Sequence, residues 1–131
     1  MRIALGLGCD RGTPAETIAQ AVAEALAACG ARHADVVAVA SIDLKADEAG
    51  LLSFAQVRGW QIRFYPAVGL AAVEVPNPSE TVRKHTGTPS VSEAAALLAA
   101  GVDKTQLIIE KHKLRGPDGR NATVSIARFP Q

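Results

Sequence analysis

Aromatic residues make up only 4% of this 131-residue sequence, although hydrophobic residues reach 48%. A core is therefore expected, but one built from Ala, Val, Leu and Ile rather than from rings. An excess of charge of one sign is also missing. The formal net charge is +1, which speaks against a dedicated nucleic-acid binder, because such domains carry a strongly basic face. No apolar run approaches the roughly 20 residues of a membrane span, so no membrane partner is expected. The opening Met1-Arg2-Ile3-Ala4-Leu5-Gly6 is too short and too Gly-rich for a signal peptide, and the cytoplasm is the expected compartment. Two cysteines, Cys9 and Cys29, form neither a disulfide framework nor a metal pattern. His33, His85 and His112 fall in separate elements without ligand spacing, so neither metal nor cofactor is expected. With no repeat, low-complexity tract or internal linker, residues 1–131 read as one domain.

What is present is a set of buried strands separated by capped helices. Arg2 to Leu7 reads as a first strand, followed by a turn marked by Gly6, Gly8 and Gly12. Thr13-Pro14-Ala15-Glu16 matches a capping box with Pro at the first helical position. Ile18, Val22, Ala25 and Leu26 form its apolar stripe, and Gly30 stops it. Val36 to Ile42 is an uninterrupted apolar run, the mark of a strand buried on both faces. Asp47 is the expected cap of a second helix through Leu51, Leu52, Ala55 and Val57, ending at Gly59. Gln61 to Phe64 reads as a third strand. Pro66 to Val75 favours a helical turn or two, and Ser79 to His85 a short helix. Ser90-Val91-Ser92-Glu93 is a second capping box, opening an Ala-rich helix that stops at Gly101. Gln106 to Glu110 and Thr123 to Phe129 are closing strands, joined by a turn-rich loop over 114–121 as a hairpin. The expected architecture is an α/β three-layer domain: a mostly parallel, mixed central sheet of about five strands, with helices on both faces.

In such sheets ligands bind beyond the carboxyl ends of the strands. Two segments fall there. The first is Gly6-Leu7-Gly8-Cys9-Asp10-Arg11-Gly12. Its amides, the helix start that follows and the Arg11 guanidinium suit an anion. The spacing is not that of a dinucleotide fingerprint, and the same glycines suit a sharp turn. Cys9 is either a nucleophile favoured by a helix N-terminus or a small buried thiol. The second segment is Ser41-Ile42-Asp43-Leu44-Lys45-Ala46-Asp47-Glu48. Asp43 and Lys45 alternate with apolar residues, so both point one way if the strand extends. Polar groups crowding a buried strand end are costly unless used, although Asp47 and Glu48 also fit a plain helix cap.

Ser90 marks another helix N-terminus, which favours carboxylates. Lys111 follows Leu107-Ile108-Ile109-Glu110, as Lys45 follows its own strand. No Ser-His-Asp or Cys-His set is apparent. What Gly6, Gly8, Cys9, Arg11, Ser41, Asp43, Lys45, Ser90 and Lys111 share is a setting suited to a polyanionic small molecule. If the site is catalytic, Asp43 or Glu48 would activate water and Lys45 would stabilise an oxyanion.

The order of blocks is also informative. Gly6-x-Gly8-Cys9-x-x-Gly12-Thr13 is followed by Ala40-Ser41-Ile42-Asp43-x-Lys45-x-Asp47-Glu48-x-Gly50-Leu51. Then come Pro78-Ser79-x-x-Val82, Gly87-x-x-Ser90-Val91-x-Glu93, Glu110-Lys111 and Thr123 to Arg128. Together they resemble the CobE family and the C-terminal domain of CbiG, across essentially the whole chain. The resemblance implies an α/β domain of the corrin-building pathway of vitamin B12. CbiG-like proteins are cobalt-precorrin-5A hydrolases, which open a ring lactone and release acetaldehyde. This chain has no room for the domains that precede the CbiG C-terminus, so it looks more like stand-alone CobE. The implied partner is an anionic tetrapyrrole, a precorrin or hydrogenobyrinate-type corrinoid with acetate and propionate arms. A lactone hydrolase of the same pathway, or an accessory domain docking on a pathway enzyme, are the alternatives.

Overall fold

A computed structural model of the chain describes residues 1–76, 78 and 90–130. The Ser79 to His85 helix expected from the sequence lies outside the described residues. The element order is β1 (Ile3–Cys9), α1 (Ala15–Ala28), β2 (Val36–Ile42), α2 (Ala49–Arg58), β3 (Ile62–Tyr65) and α3 (Ala67–Ala71). It continues with α4 (Val91–Ala100), β4 (Leu107–Arg115) and β5 (Asn121–Arg128). The strands form one five-stranded sheet in the order β3-β2-β1-β5-β4. β1, β2 and β3 run parallel, and β5 and β4 join antiparallel. The expected mixed α/β sheet is thus present, with β1 at its centre.

The two faces of β1 differ, and the difference decides how the helices pack. Successive side chains alternate between faces. Ile3, Leu5 and Leu7 fall with Ile18, Val22 and Leu26 of α1 and with Leu51 and Phe54 of α2 in one buried cluster. Ala4 falls with Ala38, Ala40, Ala127, Leu70 of α3 and the Ala94–Leu97 stretch of α4 in the other. Large branched residues thus meet α1 and α2, while small ones let an Ala-rich helix lie close to the sheet. This closeness fixes Gly6. A Cβ there would sit 1.8 Å from the Ser92 carbonyl oxygen and 2.7 Å from the Ala96 amide nitrogen. Two of the few aromatic residues meet at the amino end of the strands, where Trp60 stacks on His33 at 6.0 Å and meets Phe54 edge-on at 5.7 Å.

Several boundaries differ from expectation. Gly59 and Gly101 end their helices in the left-handed conformation, as expected. Neither capping box forms. α1 begins after Pro14, and Thr13 donates its hydroxyl to the Asp10 carbonyl at 2.7 Å instead. Ser90 precedes α4 without a side-chain cap bond. α2 begins after Glu48, not Asp47. β2 does not extend past Ile42: residues Asp43–Lys45 turn into a single 3-10 turn. The alternation argued for Asp43 and Lys45 therefore fails.

Candidate functional site at the carboxyl end of the parallel strands

Cys9, Ile42 and Tyr65 close β1, β2 and β3. The loops that follow the first two are built as one unit. Gly12, at φ 79°, supplies the left-handed turn that a side chain would strain. The Asp10 carboxylate accepts from the backbone amide of Asn121 at 2.8 Å and from its side-chain amide at 3.1 Å. Arg120 Nε donates to the Arg11 carbonyl at 3.0 Å. The first loop is thereby tied to the start of β5, about 110 residues away in sequence.

A second set of bonds ties the first loop to the second. Arg11 Nη1 donates to Asp47 Oδ1 at 2.9 Å and to Glu48 Oε2 at 3.0 Å. Its Nη2 donates to the Leu44 carbonyl at 2.8 Å. The backbone amide of Gly12 donates to Glu48 Oε1 at 2.9 Å. Glu48 is 4% exposed. The starts of α1 and α2 also touch, because a Cβ on Gly50 would lie 2.0 Å from the Thr13 carbonyl oxygen. Glu48 is therefore the anion that this junction holds, set between two helix N-termini and a guanidinium. Arg11 holds the Asp47 carboxyl below the usual range, and Asp47 in turn raises the Arg11 guanidinium.

This clasp reassigns several expected site residues. Arg11 and Glu48 brace the two loops, and both Glu48 oxygens are engaged. Glu48 is thus badly placed to activate water. Gly6 is a helix-contact position, and a Cβ on Gly8 would lie 2.6 Å from Thr123 Oγ1, so packing alone accounts for a glycine at each. Ser41 is fully buried and donates its hydroxyl to the Leu7 carbonyl at 2.7 Å, which joins β2 to β1. Cys9 is half-buried, and burial outweighs the nearby Lys45 ammonium to push its thiol up to about 11. That shift favours the buried-thiol reading of Cys9 over an activated nucleophile. Lys111 lies within β4 rather than at a strand end. In the order β2-β1-β5-β4 it is three strands from Lys45's strand, about 14 Å at ordinary spacing.

The residues left at the mouth are few. Asp43 and Leu44 are exposed and Lys45 is half-buried. Lys45 makes no hydrogen bond or ion pair among the described residues, although its charge is felt at Cys9 and Asp47. Ser90, at the start of α4, is 1% exposed and its Oγ has no hydrogen-bond partner among the described residues. Glu93, expected to close a capping box, is instead fully buried. The apolar run around it, Val91 to Leu97, was the available signal. The bonds from Asp10 to Asn121 carried no sequence signal, because nothing local marks a partner so remote. Among the described residues no group of three or more His, Cys, Asp or Glu is placed to hold a metal. An open depression of about 720 Å³ lies at the opposite end, lined by Gly101, Val102, Asp103, Gln106, Arg128 and Phe129. It is remote from the strand ends where the polar groups converge.

The sheet order and the two helix layers define an α/β domain whose fold is shared with solved proteins of cobalamin biosynthesis. The crystal structure of CobE, a protein from that pathway, matches with a TM-score of 0.80 at 30% identity, covering 95% of this chain and 93% of that one. The cobalamin biosynthesis protein chiG of Agrobacterium tumefaciens matches with a TM-score of 0.70 at 34% identity, covering 98% and 99%. Residues 3–127 match the family described as Cobalamin synthesis G C-terminus, and the chain belongs to that family. It is a protein of cobalamin biosynthesis. Among curated relatives it is 41% identical to protein CobE of a Sinorhizobium species over 111 residues, 83% of this chain and 71% of that protein. It is 38% identical to the cobalt-precorrin-5A hydrolase of Priestia megaterium over 98% of this chain, but spans only 32% of that protein's length.

Proposed function

We propose that the protein binds a corrin-ring intermediate of cobalamin biosynthesis at the carboxyl end of β1 to β3, holding it rather than transforming it. The observation that carries this reading is the contrast between Arg11 and Lys45. Arg11 is spent on the scaffold, whereas Lys45 stands half-buried beside it with no ion pair or hydrogen bond among the described residues. A fixed cation beside exposed Leu44 suits a flat, largely apolar ring fringed with carboxylates. Catalysis is the weaker reading, because Glu48 is occupied and the Cys9 thiol is pushed up to about 11.

The hydrolase relative supports one alternative, a lactone-opening enzyme in which Asp43 activates water and Lys45 steadies the oxyanion. One experiment separates the two. Lys45→Ala is titrated with a carboxylate-rich corrinoid, and Asp43→Asn is assayed on a lactone-bearing precorrin. Holding predicts weaker binding by about 5- to 30-fold in Lys45→Ala, as for loss of a charged contact. It also predicts no turnover in the parent protein. Turnover that Asp43→Asn abolishes while binding persists would establish the enzyme instead.

A further inference from the structure

Among the described helices of eight or more residues, α1, α2 and α4 all start at the carboxyl end of the parallel strands, but they are not equally used. The junction of α1 and α2 already holds an internal anion, Glu48, on the Gly12 amide and Arg11. The start of α4 is different. Ser90 occupies the cap position, within reach of the first amides of a ten-residue helix, yet accepts a hydrogen bond from none of them. Its hydroxyl is buried, in a residue 1% exposed, and has no hydrogen-bond partner among the described residues. A buried hydroxyl left unpaired is destabilising and rare in native proteins. A cap serine normally relieves this by bonding the helix. Here it does not, and no described residue takes the helix's place, which leaves the group open to a ligand.

The surroundings say what kind of partner. α3 packs beside α4 on the same face of the sheet. Val68, in the first turn of α3, is 79% exposed, and Leu44, just beyond β2, is 49% exposed. Both flank the ends of adjacent strands. One polar anchor and exposed apolar side chains therefore lie at the same end of the sheet, an arrangement matched to a ring with polar arms. A buried hydroxyl at this place can donate to the oxygen of such an arm, whether acid or amide.

We propose that Ser90, at the N-terminus of α4, is the subsite that receives one acid or amide arm of the ligand, its hydroxyl donating to the arm's carbonyl oxygen. This rests on the corrinoid reading above. It places the polar anchor on the α3/α4 side of the sheet rather than in the glycine loop.

The test uses the whole chain and hydrogenobyrinic acid, a cobalt-free corrinoid with free acid arms, followed by its visible absorbance. Its fully amidated derivative is titrated in parallel, to separate an acid arm from an amide arm. The expected result is binding by the parent and about 10- to 100-fold weaker binding by Ser90→Ala, the range for one hydrogen bond to a charged or strongly polar group. The melting temperature of Ser90→Ala should be unchanged or raised, because its Oγ makes no hydrogen bond among the described residues that could be lost. Equal affinity in parent and variant would overturn the subsite while leaving the corrinoid reading intact. Weaker binding accompanied by a lower melting temperature would mark Ser90 as structural and overturn it too. No binding of either compound by the parent would remove the corrinoid reading and the subsite with it.

Discussion

Replacing Gly6 by alanine tests whether the first glycine of the β1 segment serves packing or ligand. The new Cβ would lie 1.8 Å from the Ser92 carbonyl oxygen and 2.7 Å from the Ala96 amide nitrogen. These two backbone atoms are four residues apart on α4, so no rotamer change relieves the clash. Ordinary contact begins at 3.4 Å, and the difference from 1.8 Å is 1.6 Å of withdrawal by α4. That movement would strip contacts from Ala94, Ala95, Leu97 and Ala100, all buried against the sheet. Overpacking a core typically costs about 1–3 kcal/mol, and a clash between backbones belongs at or above the upper end. At about 3–5 °C per kcal/mol for a domain of this size, the melting temperature should fall by about 10–15 °C in calorimetry. Gly30→Ala is the control. Its Cβ meets nothing within 4 Å, and only its φ of 68° opposes a side chain, a cost of about 1–2 kcal/mol. Equal losses in the two variants would refute the packing argument. So would a Gly6→Ala protein that keeps its stability and loses only ligand.

Two other expectations concern the loops. Glu48→Ala removes a charge-assisted bond to the Gly12 amide and half of a partly exposed ion pair, so urea unfolding should show a loss of about 2–3 kcal/mol. A change below about 0.5 kcal/mol would mean that the clasp does not brace the loops. Cys9 should alkylate slowly at neutral pH. With its thiol pushed up to about 11, only about 0.03% is thiolate at pH 7.5. The iodoacetamide rate at Cys9, read by peptide mass spectrometry, should climb about tenfold per pH unit through pH 9. A plateau near pH 8 would show an activated thiol.

The sequence carried the buried elements well, and it carried the loops poorly for a physical reason. β2 was legible because five small apolar residues in a row suit a strand covered on both faces. The helix stops at Gly59 and Gly101 were legible because left-handed backbone favours glycine. Both capping boxes matched their pattern and neither formed. For Thr13, the Asp10 carbonyl three residues back competes for the hydroxyl. The glycine segment fitted both an anion loop and a sharp turn, because a sequence does not say on which side a helix will lie. Gly6 and Gly50 mark close backbone contacts with Ser92 and Thr13, which only the packed fold reveals. β4 was cut short at Glu110 because charged residues follow. An edge strand tolerates them on its open side, and it runs on to Arg115. Arg11 was legible as a cation of the first segment and Asp47 and Glu48 as acids of the second, but their pairing depends on two loops meeting.

The account's central claim is that the carboxyl end of the parallel strands holds a carboxylate-bearing corrin ring. The measurement that bears on it most directly is titration of the parent protein with hydrogenobyrinic acid, read by absorbance and by co-elution on gel filtration. The account predicts a saturable spectral shift at one ring per chain, weakened in Lys45→Ala and in Ser90→Ala. An unchanged spectrum with no co-eluting pigment at micromolar protein would contradict it.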